Sequence, residues 1–197
     1  MCAALDVTDF SQLPSGANLD AQQASNLNAE LRSQLKQLPR NAPIVALYNR
    51  FLRQYVRDLF GPRISYTQSP VLRVQVAHSA TISGLHRDAE YTGRWDYING
   101  WLPMLNTPAD RALRVETGYG TNEFEPIPME YGQVLFFDAG MLQHGSPTNS
   151  SDHPRVSMDF RFAPTAASTL TEHITGHRPA QLVDATQLTY AQRSNQS

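Results

Sequence analysis

Arg155-Val156-Ser157-Met158-Asp159-Phe160-Arg161-Phe162 alternates polar and apolar residues without a break. Side chains along an extended strand point to opposite faces with a period of two. Val156, Met158, Phe160 and Phe162 therefore form one face, and Arg155, Ser157, Asp159 and Arg161 the other. The apolar face belongs in a core. The charged face lines a cavity or meets solvent, because an isolated buried charge is costly. On a solvated face, Arg155 with Asp159, or Asp159 with Arg161, would pair as surface salt bridges. On a cavity face, the planar guanidinium of Arg155 beside the hydroxyl of Ser157 suits bidentate capture of a carboxylate.

Eleven residues before Arg155 stands His144. It follows a buried strand, Gly132-Gln133-Val134-Leu135-Phe136-Phe137-Asp138, and precedes Gly145-Ser146-Pro147, which presents the imidazole at a strand end. Farther upstream is His86-Arg87-Asp88. In an extended segment His86 and Asp88 share a face and converge on one metal while Arg87 points away. With His144 they complete a two-histidine, one-carboxylate facial triad, which leaves one face of an octahedral Fe(II) open. Zinc uses the same donor types in catalytic sites. Arg155 and Ser157 separate the two metals: a zinc hydrolase needs no guanidinium aimed beside the metal, whereas a chelating 2-oxo acid needs its distal carboxylate neutralised. The bland alternative at each position is a satisfied core or loop histidine. His78 falls at a strand end and His153 beside a proline, and the i, i+4 pair His173 and His177 reads as an exposed tail pair.

Residues 71–76 alternate as well, with Arg73 and Gln75 on one face and Leu72, Val74 and Val76 on the other. Further strands are expected over 80–87, 97–105, 112–116, 133–137 and 155–162, a spacing that suggests a barrel or sandwich. Two helices precede them. Residues 20–38 carry Leu27, Leu31, Leu35 and Leu38 at helical spacing. A second helix opens at Asn41-Ala42-Pro43, places Ile44, Leu47, Phe51, Tyr55, Leu59 and Phe60 on one stripe, and stops at Gly61-Pro62. Such a stripe braces a sheet from its outer face. Beyond Pro164 the chain is polar, with a short helix expected around residues 184–193.

A chain of 197 residues fits one domain that buries about 70% of its unfolded surface. The expected organisation is a single domain over 1–197: helical support in 1–65, a β core in 66–164 and a tail in 165–197. A formal charge of −2 with 41% hydrophobic residues argues against a nucleic-acid binder or a disordered chain. Lys36 is the sole lysine and Cys2 the sole cysteine. One cysteine makes no intrachain disulfide, which favours a reducing, cytoplasmic location. No apolar run approaches a membrane span and the first residues do not read as a secretion signal.

These residues resemble the Fe(II)/2-oxoglutarate-dependent dioxygenases of the double-stranded β-helix fold. More narrowly, they are similar to the cupin-like oxygenase family that includes the streptomycin-biosynthesis protein StrG. The resemblance spans residues 70–164 and rests on His86-Arg87-Asp88-Ala89-Glu90-Tyr91, Ile98-Asn99-Gly100-Trp101-Leu102-Pro103, residues 132–144 and Arg155-Val156-Ser157. It implies a mainly β protein with a double-stranded β-helix (jelly-roll, cupin) core and N-terminal α-helices packed on the outer sheet face. It also implies Fe(II) on His86, Asp88 and His144, with 2-oxoglutarate anchored by Arg155 and Ser157 and used together with O₂. Relatives that halogenate lack the carboxylate, so Asp88 points to hydroxylation, desaturation or epimerisation. Asn99 and Trp101 share a strand face; turned inward, Asn99 donates to 2-oxoglutarate and Trp101 walls the pocket, while turned into the core Trp101 simply packs. Tyr91 and Glu116 are candidates for substrate contact. Residues 90–96 and 117–130 are candidate lids, and their acidic residues would favour a cationic or polyhydroxylated small molecule such as an amino acid or aminosugar. The competing readings are a metal-dependent cupin isomerase or lyase without O₂ chemistry, and a non-catalytic 2-oxo acid sensor.

Overall fold

The computed structural model describes residues 10, 13, 19–165 and 180–184, the last five through their backbone pairing. In chain order the elements begin with α1 (Ala21–Gln37), α2 (Pro43–Phe51), a π-helical turn (Leu52–Val56) and α3 (Arg57–Phe60). They continue with β1 (Ile64–Tyr66), β2 (Val71–Gln75), α4 (Asp88–Thr92), β3 (Ile98–Pro103), β4 (Leu113–Glu116) and β5 (Phe124–Ile127). Last come β6 (Gln133–Phe137), β7 (His144–Gly145), β8 (Arg155–Pro164) and β9 (Ala180–Asp184).

The strand that opened the sequence reading, β8, organises the larger antiparallel sheet. On one edge it pairs with β2, Arg73 opposite Ser157, and farther along with β1, Tyr66 opposite Phe162. On its other edge it pairs with β3, which pairs with β6, which pairs with β9. β9 lies in the stretch read from sequence as a polar tail, so the sheet extends beyond the boundary drawn at residue 164. A smaller antiparallel sheet, in the order β5, β4, β7, packs over the large one. Leu113 and Val115 from the small sheet meet Trp101, Leu135 and Phe137 from the large. The result is the expected double-stranded β-helix.

The helices cover the opposite, outer face. Leu31 and Leu35 of α1 pack on Leu72, Val74, Val156 and Met158, and Tyr48, Leu52, Val56 and Phe60 pack on Ile98, Phe136, Phe160 and Phe162. Asp20 caps α1 in a reciprocal capping box with Gln23. Asn28 accepts a hydrogen bond from the Val74 N–H at 2.9 Å and so covers the free edge of β2. The buried stripe of the second helix differs from the expected one by a residue. Val45, Tyr48, Leu52, Val56 and Phe60 face the sheet, while Leu47 is 51% exposed. Spacings of four in succession drift around a regular helix; the wider π turn over Leu52–Val56 holds them on one face. Phe51 and Leu59 flank that core and Ile44 reaches the α1 cluster.

Gly100 sits opposite both Phe136 and Phe160 at the centre of the sheet, and a Cβ there would lie 2.2 Å from the Phe160 ring. That ring is locked between Tyr48, Phe51 and Phe162 and cannot yield. Gly100→Ala is therefore expected to destabilise the protein by about 1–3 kcal/mol in a denaturant titration. Among the described residues no helix is long and apolar enough to cross a membrane.

Candidate metal centre

His86 does not lie in a strand, contrary to the expectation for 80–87. His78 adopts a left-handed φ of 55°, and the Thr81 hydroxyl donates to the carbonyls of Ser83 and Ser146, so side-chain bonds replace the ladder. Only His86 pairs, in an isolated bridge whose two backbone bonds to His144 are each 3.0 Å. That close approach requires Gly145, where a Cβ would lie 2.9 Å from the Gly84 carbonyl oxygen. Asp88 is the first residue of α4, but Arg87 remains extended (φ −104°, ψ 138°), so the i, i+2 convergence of His86 and Asp88 survives. The Asp88 N–H is fixed by the Ala139 carbonyl at 2.8 Å.

The three side chains meet. The Nε2 atoms of His86 and His144 lie 3.7 and 3.8 Å from Asp88 Oδ1, and one donor atom from each residue falls within 4.8 Å of the others. The remaining nitrogen of each ring faces a carbonyl: His86 Nδ1 lies 2.8 Å from Gly84 O, and His144 Nδ1 lies 3.1 Å from Leu142 O. Both rings are thereby set in the tautomer that points a lone pair inward, as metal-binding histidines require. Burial pushes His144 down to about 4, so it is neutral at neutral pH, whereas the Asp88 carboxylate holds His86 above its ordinary value. Burial would push Asp88 up. His86 and the Arg161 guanidinium override it and hold the carboxyl well below the usual range. An anionic oxygen and two imidazole nitrogens, all buried, suit a hard-to-borderline divalent ion.

The polar face of β8 lines the interior rather than solvent. Arg155, Ser157 and Asp159 are all nearly fully buried, and neither surface salt bridge anticipated for a solvated face forms. Asp159 instead accepts from Arg73 Nε at 2.6 Å, and Arg161 grips Asp88 through Nε and Nη2 at 2.6 and 2.7 Å. Asp159 and Asp88 thus each have a guanidinium, and Arg155 has no carboxylate in direct contact. Its Nη2 donates to the Ser146 hydroxyl, while its Nε, its Nη1 and the hydroxyl of Ser157 have no partner. Arg155 stands behind Ser146, which lines the pocket together with Arg73, His86, Asn99, Trp101 and His144.

Asn99 points its amide at Asp88 Oδ2 (3.3 Å) and leaves its own Oδ1 without a partner. Trp101 both walls the pocket and packs in the core between the sheets. Tyr91 is exposed and meets the His86 ring edge-on at 5.3 Å. Glu116 is committed elsewhere: its two oxygens accept the N–H groups of Asn122 and Gln143, each at 3.0 Å, and it lies 3.6 Å from Arg87. It tethers the loop after β4, an arrangement that leaves it no oxygen for substrate. Around the mouth, Asp96 is held bidentately by Arg94 and Glu90 lies 3.7 Å from Arg87, while Glu123, Glu125 and Glu130 of the second lid segment are exposed and keep that side of the rim acidic.

The sequence reading missed Arg73, Ser146 and the partners of Asp159 and Arg161. Alternation had already placed Arg73 opposite the apolar face of β2, and that was the available signal. His173 and His177 lie outside the described residues; of the helix expected around 184–193, Asp184 instead ends β9 and the rest lies outside the described residues.

The profile of the phytanoyl-CoA dioxygenase (PhyH) family matches residues 101–157. The matched segment runs from Trp101 to Ser157 and contains His144 and Arg155. The chain is also 30% identical over 118 residues to the streptomycin biosynthesis protein StrG of Streptomyces griseus, an alignment covering 58% of this chain and 56% of StrG. It therefore spans little more than half of that relative's length. Among solved structures it resembles AviO1 from Streptomyces viridochromogenes, with 21% identity, 68% of this chain and 66% of that one covered, and a TM-score of 0.53. It also resembles the non-heme monooxygenase ThoJ in its apo form, with 17% identity, coverage of 82% and 76%, and a TM-score of 0.52. The fold of those structures is the one described above, and the family resemblance carried by the motifs of this chain recurs in the PhyH and StrG matches.

Proposed function

We propose that the chain is a non-heme Fe(II)/2-oxoglutarate-dependent oxygenase that hydroxylates, desaturates or epimerises a small polar metabolite such as an amino acid or aminosugar. The observation that carries this reading is Arg155, a buried guanidinium with two unpartnered nitrogens and an unpartnered Ser157 hydroxyl on the same strand face, bonded to Ser146, which lines the pocket that also holds His86 and His144. A buried cation with no carboxylate in direct contact calls for an anionic ligand.

His86, Asp88 and His144 would hold the iron, which couples oxidative decarboxylation of 2-oxoglutarate, to succinate and CO₂, to oxidation of a substrate C–H bond by O₂. Arg155 neutralises the distal carboxylate, with Ser157 and Ser146 as hydroxyl donors beside it. Asn99 and Arg161 keep Asp88 oriented. Trp101 and Phe137 wall the pocket and exclude water. Tyr91, against the His86 ring, offers an aromatic face to a substrate at the mouth. With Glu90 and Asp96 paired and Glu123, Glu125 and Glu130 exposed, the rim keeps acidic groups on one side that would favour a cationic or polyhydroxylated substrate.

Anaerobic addition of Fe(II) and then 2-oxoglutarate tests the assignment. The expected result is a weak visible metal-to-ligand charge-transfer band that appears only with both. Metal binding without that band would favour the isomerase or sensor readings instead.

A further inference from the structure

Asp88 is the only carboxylate in the cluster, and its two oxygens are not equivalent. Oδ1 is the oxygen nearest to both histidine Nε2 atoms, at 3.7 and 3.8 Å. Oδ2 is taken from the other side by Arg161 Nε at 2.6 Å and by the Asn99 amide at 3.3 Å. Arg161 Nη2 also reaches Oδ1, at 2.7 Å, so the guanidinium lies against the carboxylate as a planar fork. Asp88 is fully buried and the Arg161 side chain is 18% exposed. A carboxylate on the first turn of a five-residue helix has rotational freedom of its own; beside the single Asn99 contact at 3.3 Å, the two-pronged Arg161 fork at 2.6 and 2.7 Å is the tighter restraint on its plane.

We infer that Arg161 is a positioning residue for the metal centre: its fork fixes the plane of Asp88, presents Oδ1 to the metal and occupies Oδ2, so that the carboxylate binds through one oxygen. The inference rests on the proposed metal site. Its physical basis is directional. A planar guanidinium matches both oxygens of a carboxylate at once, which a single ammonium does not. Holding Oδ2 matters because a carboxylate that turned both oxygens to the metal would take a coordination position that a chelating cosubstrate needs. Electrostatics alone predicts the opposite sign, since a cation this close to Asp88 repels a divalent ion. If positioning dominates, removing Arg161 weakens metal binding; if repulsion dominates, it strengthens it.

The test is an anaerobic titration with Mn(II), followed by electron paramagnetic resonance of the free ion, for wild type, R161Q, R161K, D88N and D88N/R161Q. R161Q is expected to bind Mn(II) about 10–100-fold more weakly, the range found when an outer partner of a metal ligand is removed. R161K keeps the charge and guards against a variant that merely misfolds; it should remain about tenfold or more weaker than wild type. In the D88N background R161Q should add nothing, because the residue acts through Asp88. An unchanged or tightened constant in R161Q, full recovery in R161K, or an undiminished effect in D88N overturns the assignment. Absence of Mn(II) binding in wild type would sink the metal site and this inference with it, whereas wild-type binding with an unaltered R161Q sinks the inference alone.

Discussion

His144→Ala is expected to weaken Fe(II) binding by more than about 100-fold, beyond the range of losses from outer-shell changes. His144 is poised for coordination as few histidines are. Burial pushes it down to about 4, its Nδ1 faces a carbonyl, and its Nε2 looks at Asp88 Oδ1. Without it, His86 and Asp88 are two donors where a facial site needs three. The direct measurement is metal affinity. A second reading comes from stability: wild type should melt at a higher temperature with Mn(II) than without, and the variant should show no such rise. The same histidine predicts an acid dependence. A base whose folded value lies below its unfolded one favours the folded state above the unfolded value and loses that advantage as pH falls. Between 6.5 and about 4 the wild type should thus lose roughly 3 kcal/mol through His144. His86, held above its ordinary value, acts in the opposite sense, so the contribution is isolated by comparing the pH profiles of wild type and H144A. Metal affinity unchanged in H144A would move the site elsewhere.

The triad was legible in the sequence because its geometry is local. An HxD tripeptide in extended backbone and a histidine at a strand end require only a period of two, and the structure brings them together even though residues 80–87 are not a strand. The polar face of β8 was legible for the same reason. What was not legible is pairing across the sheet. Asp159 could have met Arg155 or Arg161 on its own strand, and it met Arg73 from β2, because the register sets Arg73 against Ser157 and brings the long side chain to the neighbouring position. Register depends on where the turns fall, which alternation does not reveal. The second helix shows the same limit: its buried stripe is offset by one residue and a π turn keeps it on the sheet, and no single residue type announces such a turn. Glu116 read as a substrate contact because it ends a strand before a glycine-rich loop. Its carboxylate is in fact the anchor of that loop.

Arg155→Met is expected to make the protein more stable and unable to hold 2-oxoglutarate. The two effects share one cause. Burial, with some help from Arg73, draws the guanidinium from 12.5 down to about 9, since its only direct partner is the Ser146 hydroxyl. That penalty weighs on the folded state throughout the neutral range, because a guanidinium keeps its charge. Methionine fills similar space without charge. Replacing buried ionic groups by apolar ones of like volume stabilises by about 1–4 kcal/mol, and a gain in this range is expected for the apo variant in denaturant. The anionic cosubstrate, in contrast, loses its counter-charge. Truncating one partner of a buried, hydrogen-bonded charge pair costs about 2–5 kcal/mol, or roughly 30- to several-thousand-fold in the dissociation constant. Calorimetric titration of Mn(II)-loaded protein with 2-oxoglutarate measures the loss, and metal affinity itself should be unaltered because Arg155 touches none of the three ligands. A variant that binds 2-oxoglutarate normally would assign the anchor to Arg73, the guanidinium that lines the pocket. A variant that is destabilised would mean that Arg155 is held by the fold for its packing. The combination expected, greater stability with lost binding, has no structural explanation other than a charge kept in the interior for a ligand.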